Sequence, residues 1–141
     1  MTRELLSGKK ILVTGGSRGI GRAAAKAFLQ NGASVFIAAR NKDELERARE
    51  ELSPLGEVKV APCDVSDPAS VEVAASLLKR EWGTLDGVVN AAGIYGPIGL
   101  LEENDPEEWL SALKINLYGT FLVTRAASKL MPHGGFIINF V

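Results

Sequence analysis

Thr14-Gly15-Gly16-Ser17-Arg18-Gly19-Ile20-Gly21 follows the apolar run Lys10 to Thr14 (KILVT) and opens an alanine-rich stretch. Glycines let the backbone approach a pyrophosphate closely, and a helix N-terminus offers free N–H groups and a positive dipole end. The spacing is Gly15-x-x-x-Gly19-x-Gly21. Gly16 to Gly21 also fits G-x-x-x-x-G, but Arg22 and Ala23 stand where a P-loop needs Lys and Ser or Thr. Without that lysine nothing reaches a terminal phosphate. The bland alternative is a glycine-rich strand-to-helix turn with no ligand. A second charged group stands at Arg40, just after the apolar run Ser34 to Ala39, and no Asp or Glu occurs between Gly32 and Lys42. In doubly wound nucleotide-binding folds an acid at this place grips the ribose 2′-OH of NAD, whereas an arginine accommodates the 2′-phosphate of NADP. Arg18 inside the glycine turn can close on the same phosphate, and two guanidinium forks suit a dianion. The expectation is NADP(H) in preference to NAD(H), against the alternative that both arginines are solvated surface charges.

Other reactive types are sparse. His133 stands alone in a Pro-His-Gly-Gly turn, and the single cysteine, Cys63, has no basic neighbour marking it as a nucleophile. It reads as a small packing residue, and one cysteine excludes both a disulfide framework and a cysteine-built metal cluster. No metal site is expected. Sixteen Lys plus Arg balance 17 Asp plus Glu in 141 residues, a net charge of −1, which rules out a basic footprint for nucleic acid. Hydrophobic residues make up 46%, an ordinary globular proportion. Met1 to Lys10 has no signal-like apolar run, and Ala91 to Leu101 is broken by Gly93, Gly96, Pro97 and Gly99, so no membrane span is expected. The default setting is the reducing cytoplasm.

The elements that must position these residues alternate. Strands are expected at Lys10–Thr14, Ser34–Ala39, Glu57–Ala61, Leu85–Asn90 and Gly135–Val141. Helices are expected at Gly19–Asn31, with Gly32 just past the end, and at Lys42–Leu55, with Leu45, Ala48, Leu52 and Leu55 on one stripe. A third starts at Asp67-Pro68 and runs to about Trp82. A fourth starts at Asp105-Pro106 with Glu108 placed for a capping box, carries Trp109, Leu113, Leu117, Phe121 and Thr124 on one face, and ends near Met131-Pro132. Strands alternating with helices predict a parallel sheet covered on both faces, and the polar and glycine-rich residues gather at the carboxyl edge, where such folds bind ligands.

At this point a resemblance becomes specific. Thr14-Gly15-Gly16-Ser17-Arg18-Gly19-Ile20-Gly21 resembles the T-G-x-x-x-G-x-G turn of the short-chain dehydrogenase/reductase family. Asn90-Ala91-Ala92-Gly93 resembles its N-N-A-G motif with alanine in place of the second asparagine, Cys63-Asp64-Val65 its Asp-Val pair, and Asn116 in Lys114-Ile115-Asn116-Leu117 its helix asparagine. The resemblance implies a Rossmann-like doubly wound sheet with strand order 3-2-1-4-5, and one NAD(P)-binding domain over residues 1–141. It implies cofactor contacts from Gly15, Ser17, Arg18, Gly19, Ile20, Gly21, Arg40, Asp64, Val65, Asn90, Ala91, Ala92 and Gly93. Asp64 would bond the adenine amino group and Val65 would touch the ring. Asn90 to Gly93 would lie under the nicotinamide ribose, with the Asn90 amide tying its strand to its neighbours. The plainer alternatives are a turn role for Asp64 and tight loop packing for Ala91-Ala92-Gly93.

The activity implied is hydride transfer between the nicotinamide and a carbonyl or alcohol substrate. A tyrosine moves the proton, a lysine four residues later tunes it, a serine orients the substrate oxygen, and the asparagine, here Asn116, holds a relay water. A phenol with a pKa near 10 needs such tuning to work near neutrality. Tyr95 is followed four residues later by Gly99 and Tyr118 by Leu122, so neither makes Tyr-x-x-x-Lys. Family sequences resemble Ile137 to Val141 just before the serine, so the expectation is a chain cut short at its fifth strand, catalytically incomplete alone and leaving that strand as an apolar edge. Gly96 to Asn104 is expected to form part of a substrate rim. The helix from Pro106 to Leu130 packs its apolar face either on the sheet or, as the resemblance implies, on a second copy. Two other functions stay open: a non-catalytic nucleotide-binding or regulatory module, and a fold for another ligand such as a methyl donor, which would give the arginines no phosphate.

Overall fold

The structure is a computed structural model describing residues 4–141; the part of the leaderless-start reading that falls on Met1 to Arg3 lies outside it. Strands β1 (Lys10–Thr14), β2 (Ser34–Ala39), β3 (Val58–Pro62), β4 (Gly87–Asn90) and β5 (Phe136–Asn139) pair in parallel in the order β3-β2-β1-β4-β5. The order reverses at β1, which lies between β2 and β4. The register sets Thr14 beside both Ala38 and Asn90, and Asn90 beside Asn139, so the strands end along one edge.

Alternation along the strands builds two cores. Ile11, Val13, Val35, Ile37 and Val89 face one side with Ala25 and Leu29 of α1 (Gly19–Gln30) and Leu45 and Leu52 of α2 (Lys42–Leu52). Leu12, Phe36, Ala38 and Val88 face the other with Val71 and Leu78 of α3 (Pro68–Trp82) and Leu122, Val123, Ala126 and Ala127 of α5 (Gly119–Ser128). Such strands are apolar throughout because helices cover both faces. Phe36 is fully buried edge-on to Trp82, with ring centroids 5.7 Å apart, and its truncation to alanine would cost about 3–5 kcal/mol.

Three features depart from the sequence reading. The expected fourth helix is not one regular cylinder: α4 (Pro106–Leu113) passes through a five-residue π turn, Lys114–Tyr118, before α5 begins. The expected stripe also splits, and it does so within α5. Thr124 faces the sheet, whereas Trp109, Leu113, Leu117 and Phe121 face solvent, and the sheet is covered by Gly119, Leu122, Val123, Ala126 and Ala127. Leu55 falls outside α2 in a short 3₁₀ turn around Pro54 and is exposed, because proline cannot continue the helix's hydrogen bonding. At the start of α4, Asp105 accepts from the Glu107 N–H at 3.0 Å while Glu108 makes no reciprocal bond, so the cap forms without the box.

Candidate functional site

Among helices α1 to α4, α1 begins differently. Asn41 caps α2, Asp67 caps α3 and Asp105 caps α4 through side-chain oxygens, whereas Arg18, with φ −156° and ψ 171°, gives α1 no side-chain cap, and the first turn holds no acid. Its N–H donors therefore face the glycine turn uncapped, the arrangement that attracts an anion. The turn itself leaves no room for side chains at two of its glycines. A methyl at Gly15 would lie 2.7 Å from the Ala91 carbonyl and the Ala92 nitrogen, and one at Gly21 would strike the Gly15 carbonyl. Gly15 and Gly19 also hold φ of 64° and 57°, the left-handed region that favours glycine.

Thr14 joins this turn to the loop after β4. Its buried hydroxyl oxygen accepts from the N–H groups of Ala91 at 3.3 Å and Ala92 at 3.4 Å. Asn90 is 3% exposed, and its amide donates to Asn139 Oδ1 at 2.9 Å and Thr124 Oγ1 at 3.1 Å, which ties β4 to β5 and α5. Its own Oδ1 has no partner among the described residues. From the π turn, Asn116 grips the same loop further out: Oδ1 accepts from the Ile94 N–H at 2.8 Å and Nδ2 donates to the Ile94 carbonyl at 2.7 Å. A methyl at Gly93 would come within 3.1 Å of Asn116 Oδ1. The π turn, a recurrent device at functional sites, carries Asn116.

Beyond β3, the Asp64 backbone N–H donates to Ser70 Oγ at 2.8 Å and its Oδ1 accepts from the N–H and hydroxyl of Ser66 at 3.0 and 2.7 Å, so the turn role foreseen for it is real. Oδ2 has no hydrogen-bond partner among the described residues. Val65 is buried and packs against Gly119, where an added methyl would touch both its side chain and its carbonyl. Cys63 is buried and burial pushes its thiol pKa up, which suits an inert packing residue.

At the end of β2, Ser17 Oγ donates to Glu44 Oε2 at 3.4 Å. That contact sets the Arg18 turn against the first turn of α2, which follows directly from Arg40. Arg18 and Arg40 are exposed and make no ion pair with any described residue. The structure thus gathers Gly15 to Gly21, Ala91 to Gly93 and Asn116 into one chain of contacts, with Arg18 and Arg40 on its flank and Asp64 on the far side of β2. Sequence reading missed Glu44, Asn139 and Thr124 as partners here. A strand-ending asparagine in FIIN was their faint signal; nothing in the sequence marked Glu44. No group of three or more His, Cys, Asp or Glu side chains suited to a metal occurs among the described residues, and no described helix is long and apolar enough to cross a membrane.

Residues 15–141 match the family described as enoyl-(acyl carrier protein) reductase. The chain is 41% identical over 133 residues to the short chain dehydrogenase pigC of Monascus ruber, covering 89% of this chain and 44% of that protein. Its fold is similar to a short-chain type dehydrogenase/reductase from Mycobacterium marinum at TM-score 0.90 and 35% identity, covering 95% of this chain and 54% of the other. It is also similar, at TM-score 0.86 and 32% identity, to the Pseudomonas aeruginosa RhlG/NADP active-site complex, over 92% of this chain and 50% of the other. The chain therefore spans about half the length of these relatives, or less.

Proposed function

The chain belongs to the short-chain dehydrogenase/reductase family, and from that premise we propose that it forms one NADP(H)-binding domain of an oxidoreductase acting on a carbonyl or alcohol. The bound nicotinamide would supply or accept the hydride. The residues present suit such a cofactor: the uncapped start of α1 offers N–H donors to the pyrophosphate, and Gly15 and Gly21 allow the tight turn that presents them. Ala91, Ala92 and Gly93 floor the ribose region, held by Thr14 from one side and Asn116 from the other. Asp64 Oδ2 is free for the adenine amino group, and Val65 would contribute its backbone.

The choice of NADP(H) over NAD(H) rests on Arg40 directly after β2, Arg18 in the glycine turn, and the lack of any Asp or Glu between Gly32 and Lys42. Titration of the protein with both cofactors tests this: NADPH is expected to bind at least about tenfold more tightly than NADH, the weight of about 1.4 kcal/mol. Equal affinity overturns it. A non-catalytic nucleotide-binding module is the alternative reading. The gene product, with whatever sequence adjoins this chain, separates the two: NADPH oxidation over a panel of aldehydes and ketones supports the enzyme, and its absence supports the module.

The exposed face of α4 and α5 is proposed to bind a second copy of the chain. A cytoplasmic setting is proposed from the sparse cysteine use, a single buried thiol, and cell fractionation checks it.

A further inference from the structure

Three carboxylates on α2 have identifiable partners, and they differ in kind. Glu46 pairs with Arg49 and Glu51 with Arg22 of α1, both basic. Glu44 contacts the neutral Ser17 hydroxyl, at 3.4 Å, and no basic side chain lies within ion-pair distance of it among the described residues. It is half-buried, and Ser17 is 7% exposed, so the contact sits in the crease between the glycine turn and α2 rather than in open solvent. The same crease brings the segments of Arg18 and Arg40 together.

We infer that Glu44 is a specificity-determining residue that restrains affinity for the 2′-phosphorylated cofactor. Two physical effects act in the same direction. The Ser17 hydroxyl has one proton, and while it is donated to Glu44 it is not donated to a phosphate oxygen. The Glu44 carboxylate also adds a like charge beside an anion that Arg18 and Arg40 attract, in a crease where water screens it incompletely. NADH has no 2′-phosphate, and the Glu44 charge acts on it only weakly, through the more distant pyrophosphate. The inference rests on the NADP(H) reading above. It adds that the two arginines are partly opposed by design of the same crease, so the cofactor can leave as well as bind.

The test is a charge series at one position, read by NADPH and NADH binding to wild type, Glu44→Gln and Glu44→Lys, with fluorescence titration at low and high salt. NADPH affinity is expected to rise about three- to tenfold in the glutamine variant and further in the lysine variant, the gain shrinking at high salt. NADH affinity should stay within about twofold, which also certifies that each variant is folded around its glycine turn. An NADPH to NADH affinity ratio that does not change across the series, or that falls, overturns the role of Glu44. A wild-type ratio near one that rises in both variants upholds Glu44 and overturns the wild-type preference instead.

Discussion

A methyl group at Gly21 would meet the Gly15 carbonyl, while one at Gly83, just past α3, would meet nothing within 4 Å although its φ of 79° disfavours a side chain. The two glycines therefore separate a demand for space from a demand for backbone freedom. Gly21→Ala should cost about 1–3 kcal/mol through forced backbone movement and weaken NADPH binding more than about tenfold. Gly83→Ala should cost about 1–2 kcal/mol from the left-handed conformation alone and leave binding unchanged. Thermal melts and cofactor titrations of both variants check this, and equal binding losses would sink the distinction. Thr14→Val keeps the shape of the buried side chain but removes the acceptor for the Ala92 N–H. A loss of about 0.5–1.5 kcal/mol is expected in denaturant unfolding, since the half-buried Ala92 N–H loses its protein acceptor.

At the scale of elements, the start of α1 exchanges stability for an open anion seat. Arg18 already has the extended backbone of an N-cap position but no acceptor side chain. Arg18→Asp should supply one, raising stability by about 0.5–2 kcal/mol while abolishing measurable preference for NADPH. A variant that gains no stability, or keeps its preference, contradicts this account of the turn. At the opposite end of the sheet, Glu57 links β2, β3 and α3. Burial alone would raise its pKa, but hydrogen bonds from Trp82 at 3.3 Å and Ser34 at 3.0 Å and the charge of Lys59 outweigh it and hold the carboxyl below the usual range. A folded pKa below the unfolded value, about 4.3, gives stability that is present above that value and is lost as pH falls through the folded one. Glu57 is about half exposed, so the loss is a few tenths of a kcal/mol, about 0.5 at most. Melts from pH 6 down to about 3 should show a shallower fall in Glu57→Gln than in wild type.

Across the whole molecule, the order of elements, the parallel sheet and the glycine turn were legible because each depends on local signals: β-branched runs, Asp-Pro starts and glycine spacing. Asp67 and Asp105 cap as their Asp-Pro context implies. The π turn was not legible, since no residue in Lys-Ile-Asn-Leu-Tyr forbids a regular helix, and its contacts, Asn116 with Ile94 and Gly119 with Val65, are distant in sequence. In α5, Leu122, Val123, Ala126 and Ala127 lie on the sheet, whereas Leu110, Leu113, Leu117, Tyr118 and Phe121 face outward, with Leu117 68% and Phe121 55% exposed. Tyr118 and Phe121 stack at 6.2 Å, which makes the strip continuous. Packing on the sheet no longer accounts for these side chains, and a strip repeated on one helical face is suited to antiparallel association with its own copy. Leu117→Glu and Phe121→Glu lie outside both cores, so the fold should survive. Light scattering behind size exclusion is expected to show the wild-type protein as a dimer or larger and the double variant as a monomer with an unchanged melting profile. A wild type that runs as a monomer at high concentration, or a double variant that stays associated, removes the helix face as the interface and leaves the exposed Ile137, Ile138 and Phe140 around β5 as the apolar surface to be explained.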